Sequence, residues 1–154
     1  MIFLPNESNM AELCASIIEK KVMSEGLALL GWRDVPTDDT TLGELAKSSQ
    51  PYIRQLFIGK NEQSLSEDIF ERKLYILRRE IENEVSKNSL TDEEFYISSL
   101  SVRTLIYKGL LMASQVLAFY PDLTDIDMKS ALAVVHQRYS TNTFPTWSLA
   151  QPFR

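Results

Sequence analysis

The apolar run Ala131–Val135 is followed without a break by His136-Gln-Arg-Tyr-Ser-Thr-Asn142, a stretch rich in groups that can hold a ligand. Successive strand side chains alternate between faces, so Leu132, Val134, His136 and Arg138 would share one side, with Ala133, Val135, Gln137 and Tyr139 on the other. Arg138 then ends an apolar stripe. A guanidinium desolvated there needs an acidic partner, and its planar fork suits a carboxylate or phosphate held through two hydrogen bonds. That partner is either a ligand or a protein carboxylate. His136 has two readings, a catalytic base or a satisfied group at a strand end. Thr141 and Asn142 either face a ligand or satisfy the turn before Pro145.

Other reactive residue types point away from chemistry. Cys14, the single cysteine, lies among Met10, Leu13, Ile17 and Ile18 at helical spacing, which makes it a small buried apolar residue. One thiol excludes an intramolecular disulfide and any cysteine-based zinc site. Arg72, Lys73, Arg78 and Arg79 are interleaved with Glu71, Glu80, Glu82 and Glu84 around one helix, the pattern of a solvated, charge-paired face. No Gly-rich phosphate loop, His/Cys metal cluster or aromatic-basic interleaving is present. A net charge of -5 argues against general affinity for nucleic acid or anionic membranes. No apolar run approaches the roughly 18 residues that span a bilayer, and no signal peptide pattern opens the sequence. The expectation is a soluble, cytoplasmic protein that binds neither metal, nucleic acid nor membrane.

The elements that must position the polar run alternate between helix and strand without a linker. With 154 residues and 44% hydrophobic content, the chain has material for about one domain, residues 1–154. A strand over Ile2–Leu4 leads to a helix over Asn9–Glu25, with Asn9 and Glu12 as a capping box and Gly26 as its stop. Leu27–Val35 is extended, Leu42–Ser48 a short helix capped by Thr41, and Tyr52–Ile58 a strand. The strongest helix is Glu67–Lys87, where Phe70, Leu74, Leu77, Ile81 and Val85 form one stripe and Ser64 provides the cap. Phe95–Leu100 and Leu105–Leu111 are expected as an antiparallel pair of strands, Met112–Phe119 as a short helix and Pro121–Lys129 as an acidic loop. Adjacent strands mixed with helices indicate an α+β fold.

The polar run is also a family signature. His136-Gln-Arg-Tyr-Ser-Thr-Asn-Thr-Phe-Pro-Thr-Trp147, continued by Leu149-Ala-Gln-Pro-Phe-Arg154, resembles the N-terminal class II (N-terminal-nucleophile) glutaminase domain of glutamate synthase large subunits. Gly31–Pro36, Ser49–Pro51, Phe70–Tyr75, Phe95–Ile97 with Ser99–Ser101, Tyr107–Gly109 and Phe119–Leu123 resemble it in the same order, across nearly the whole chain. Two positions depart from the family's usual run: Gln151 stands for a histidine and Tyr139 for a phenylalanine.

The resemblance implies a four-layer α-β-β-α sandwich of the Ntn-hydrolase type, of which this chain is an incomplete part. It implies a parent enzyme that hydrolyses L-glutamine and channels ammonia to 2-oxoglutarate, making glutamate. In that reading Arg138 takes the α-carboxylate of glutamine, Thr141 and Asn142 line the pocket, and His136 and Ser140 support it. The family's nucleophile is an N-terminal cysteine and its oxyanion hole an Asn-Gly pair, and neither is in this sequence. The chain is thus expected to be an internal fragment truncated at both ends, with no catalytic residue and no glutaminase activity of its own. FMN and an iron-sulfur cluster are expected in other domains, and the rest of the large subunit, with or without a small subunit, as partners. The competing reading is a stand-alone, non-catalytic binding or interaction module.

Overall fold

The computed structural model describes residues 1–62, 64–91, 94–138 and 142–152. Strand β1 (Ile2–Leu4) is followed by α1 (Ser8–Ser24), β2 (Leu27–Asp34), α2 (Glu44–Ser48), β3 (Tyr52–Lys60), α3 (Glu67–Ser86) and β4 (Tyr96–Ile97). The four strands form one antiparallel sheet in the order β2-β3-β1-β4, with Ile2 paired to Arg54 on one side and Ile97 on the other. Together with the helices, this establishes the expected mixture of helix and antiparallel sheet.

Alternation along β1 separates two cores. Ile2 and Leu4 face α1 and α3, where they meet Cys14, Ile18, Val22, Leu74, Leu77 and Ile81. Met1 and Phe3 face the opposite side, packing with Ile53, Tyr96, Phe119, Tyr120 and Trp147. The stripe read in the sequence of α3 is the buried one: Phe70, Leu74, Leu77, Ile81 and Val85 are all in the core. Gly26, with φ +68°, takes the left-handed conformation that closes α1, as expected of a glycine just past a helix. The β2–β3 register shifts between Leu29 and Gly31, and Gly31 has φ +140°, open only to a residue without a Cβ.

Several boundaries differ from the sequence reading. The cap of α3 is Ser66, which accepts from Ile69 N, rather than Ser64. Helices α1 and α2 begin after Glu7 and Gly43, neither with a side-chain cap, so Asn9 and Thr41 do not play that part. Met112–Phe119 divides into a 3₁₀ turn (Ala113–Gln115) and one α-helical turn, α4 (Val116–Phe119), and a second 3₁₀ turn (Pro121–Thr124) opens the acidic loop. Arg78 is not on a solvated face. It is buried, donating to Glu82 Oε1 at 3.0 Å and to the carbonyl of Ile97, while Arg79 pairs with Glu82 from the exposed side.

Two expected strands are corrected. Leu105–Leu111 is irregular and β4 is cut to Tyr96–Ile97. Serine hydroxyls take the place of the ladder there: Ser98 Oγ donates to the Ile106 carbonyl at 3.0 Å, and Ser99 Oγ accepts from Ile106 N at 3.2 Å. Ala131–Val135 is irregular, not a buried strand. Val134 and Val135 are 81% and 84% exposed, and no strand among the described residues pairs with the run. Alternation of side chains had nothing to act on without a neighbouring strand.

Candidate functional site

A cavity of about 500 Å³ opens on the irregular side of the sheet, between Gly109–Leu111, His136–Arg138 and Asn142–Gln151. It brings together His136, Arg138 and Asn142 from the sequence-identified run. Ser140 and Thr141 lie outside the described residues. Arg138 and His136 are solvent-exposed, so the argument that burial forces an acidic partner on Arg138 does not hold for this structure. Arg138 instead lines an open cavity.

The walls rest on residues that periodicity did not single out. Trp147 is 3% exposed, donates from Nε1 to the Ala46 carbonyl at 3.1 Å, and packs on Phe3 and Phe119 at centroid distances of 6.2 and 5.4 Å. Its ring lies directly against Gly109, where any Cβ would overlap it. The turn that follows is closed by Ala150 N donating to Thr146 O at 3.1 Å and Leu149 N to Thr146 Oγ1 at 3.2 Å. Opposite it, Tyr120 donates its hydroxyl to the Lys108 carbonyl at 2.8 Å, and burial pushes that phenol well above its ordinary range.

A polar cluster ties the wall to the sheet. Arg33 of β2 grips Asp122 with both terminal nitrogens, one at 2.9 Å, and reaches Gln55 Oε1 of β3 at 2.6 Å. Tyr107 donates to Asp122 Oδ2 at 2.9 Å. The Arg33 hydrogen bond, helped by that of Tyr107, holds the Asp122 carboxyl below its usual range, whereas burial and then Asp122 push Tyr107 up to about 12. Three short motif pieces, Gly31–Pro36, Tyr107–Gly109 and Phe119–Leu123, thus meet in one network. Their order was visible in the sequence, but their convergence, over a separation of 89 residues for Arg33 and Asp122, was not.

This network has a testable pH signature. Asp122→Asn should destabilise the 154-residue chain by about 1–2 kcal/mol at pH 7, the worth of a charge-assisted pair discounted for the partly exposed Arg33. A carboxyl whose folded pKa is depressed stabilises above its unfolded pKa and loses that contribution as pH falls through the folded value. The difference between wild type and variant in urea midpoint should therefore shrink as pH drops below about 4. Equal midpoints at pH 7 would remove the ion pair from this role.

Cys14 is fully buried in α1, where burial pushes its thiol up to about 11. It is a packing residue, unsuited to nucleophilic attack. Among the described residues, no group of three His, Cys, Asp or Glu side chains is placed to hold a metal ion, and no helix is long and apolar enough to cross a membrane.

Sequence similarity places the chain in one class. A sequence model of the class-II glutamine amidotransferases matches residues 1–154, and the chain belongs to that family. It is 47% identical over 154 residues to the glutamate synthase [NADPH] large chain of Azospirillum brasilense, covering 99% of this chain and 10% of that one. It is 44% identical to the chloroplastic ferredoxin-dependent glutamate synthase of Oryza sativa subsp. japonica and 43% to the glutamate synthase [NADPH] large chain of Bacillus subtilis, in both cases over its full length. The chain spans about a tenth of the length of these relatives.

Proposed function

We propose that residues 1–154 form the substrate-carboxylate side of a glutaminase pocket in a glutamate synthase. Arg138 takes the α-carboxylate of L-glutamine, Thr141 holds its amino end, Asn142 lines the pocket, and His136 and Ser140 support it. The observation that carries this reading is the shared cavity of His136, Arg138 and Asn142, in a chain whose relatives are glutamate synthases. The parent enzyme hydrolyses the glutamine amide and passes ammonia to a synthase centre, where 2-oxoglutarate becomes glutamate. The nucleophile and oxyanion donors come from outside these residues.

In the parent, Ala131–Val135 becomes a strand of a second sheet and completes a four-layer sandwich. Their exposed apolar side chains support this, because such a run gains most from burial against another layer. The family implies FMN and an iron-sulfur cluster. The residues here do not fit a cluster, since the only thiol is enclosed in α1, and both groups are assigned to other domains. The remainder of the large subunit, with or without a small subunit, is the partner, and the cytoplasm the place of work.

The test is ammonia release. Full-length protein should form ammonia and glutamate in equal amounts from L-glutamine, unchanged by Cys14→Ala. The isolated 154-residue chain should form none. Ammonia release by the isolated chain that Cys14→Ala abolishes would overturn the assignment.

A further inference from the structure

Among the described residues, Lys108 is a lysine that the fold encloses beside the cavity without its lining the wall. It is 4% exposed, and its Nζ donates to the Ser148 carbonyl at 2.7 Å and to Tyr96 Oη at 3.1 Å, lying 4.2 Å from the centre of the Tyr96 ring. Its own carbonyl accepts from Tyr120. Residues next to these contacts line the cavity: Gly109, Leu110 and Leu111 from one segment, Thr146, Leu149 and Ala150 from the other. Beneath them, the two segments touch directly where the Trp147 ring packs on Gly109.

We propose that Lys108 is a positioning residue for glutamine, whose ammonium fastens the Trp147–Ser148 turn to the Lys108–Leu111 segment and so fixes how these two cavity-lining segments sit together without touching the ligand. This rests on the glutamine reading of the pocket. Chemistry favours a geometric role over plain packing. An enclosed ammonium costs more than a methionine of similar reach, and the cost is offset only if its hydrogen bonds are well made. Burial, followed by the charge of Arg78, already draws the Lys108 amine down to about 8. Two donors aimed at a main-chain carbonyl and a phenol hold a turn in one place, which apolar contact does less sharply because it lacks direction.

The experiment compares glutamine KM and kcat in full-length protein for wild type, Lys108→Met and Tyr96→Phe. Lys108→Met should raise KM about tenfold while kcat stays within about threefold, the pattern of lost ground-state binding. Tyr96→Phe keeps the ring and removes one acceptor, and should raise KM by about threefold at constant kcat. If Lys108→Met fails to fold, Tyr96→Phe alone decides. Unchanged KM in Tyr96→Phe then overturns the role, as does unchanged KM in a folded Lys108→Met or a fall in kcat without a change in KM. Arg138→Ala in the same assay separates the two levels: raised KM there with unchanged KM in Lys108→Met sinks only the positioning role, whereas unchanged KM in Arg138→Ala sinks the pocket reading and this role with it.

Discussion

Arg138→Ala in the full-length protein is expected to raise the glutamine KM about ten- to a hundredfold and to leave kcat nearly unchanged. The magnitude is that of a hydrogen bond to a charged group, about 1.5–3 kcal/mol, at about 1.4 kcal/mol per factor of ten. The split between constants follows from distance: the α-carboxylate lies at the far end of glutamine from the scissile amide, so its contact is present equally in the bound substrate and in the transition state. The methyl ester of glutamine, which lacks the anionic oxygen, supplies a matched control. It should bind poorly to wild type and lose little more on Arg138→Ala, because the interaction is already gone. An unchanged glutamine KM, or equal losses for glutamine and its ester, would remove Arg138 from the carboxylate.

The second large effect falls on Trp147. Replacing it with alanine deletes an enclosed indole between Phe3, Phe119 and Gly109 and leaves the Ala46 carbonyl without its donor. Truncations of this kind cost about 3–5 kcal/mol. With a urea slope of about 1–3 kcal/mol/M, the midpoint of the 154-residue chain should fall by more than about 1 M. Trp32 remains in the variant and reports the transition by fluorescence. A midpoint within about 0.3 M of wild type would mean the indole is not part of the core.

Helices were the most legible part of the sequence. Each of the two long ones carries its own signal, since the apolar stripe of α3 needs only residues within twenty positions of one another. Strands were legible where a described strand pairs with them, as for β1, β2 and β3, and misread where none does. Ala131–Val135 has the composition of a buried strand, but composition cannot supply a neighbour. In the 98–111 region, serine hydroxyls satisfied the backbone locally, a competition between side chain and ladder that alternation does not reveal.

The cavity was legible in the polar residues that line it and not in its supports. Arg138, His136 and Asn142 announced themselves as polar groups after an apolar run. Lys108 read as part of a motif without a reason, and Trp147 as the end of one. Their parts depend on contacts with Ser148, Tyr96 and Ala46, which lie 40, 12 and 101 residues away along the chain. No window of sequence is wide enough to register them.

That last separation orders events during synthesis. Every element of the sheet and its two packed helices lies between Ile2 and Ile97, so this half of the molecule can assemble while the remainder is still being made. The indole that closes the other half leaves the ribosome some 50 residues later, a delay of about 3–10 s at ordinary translation rates. Through that interval the Phe3 side of the sheet is without the indole that packs on it. Within these residues the cavity acquires its shape after the sheet, and it waits on the slow closure of a long loop rather than on any local preference.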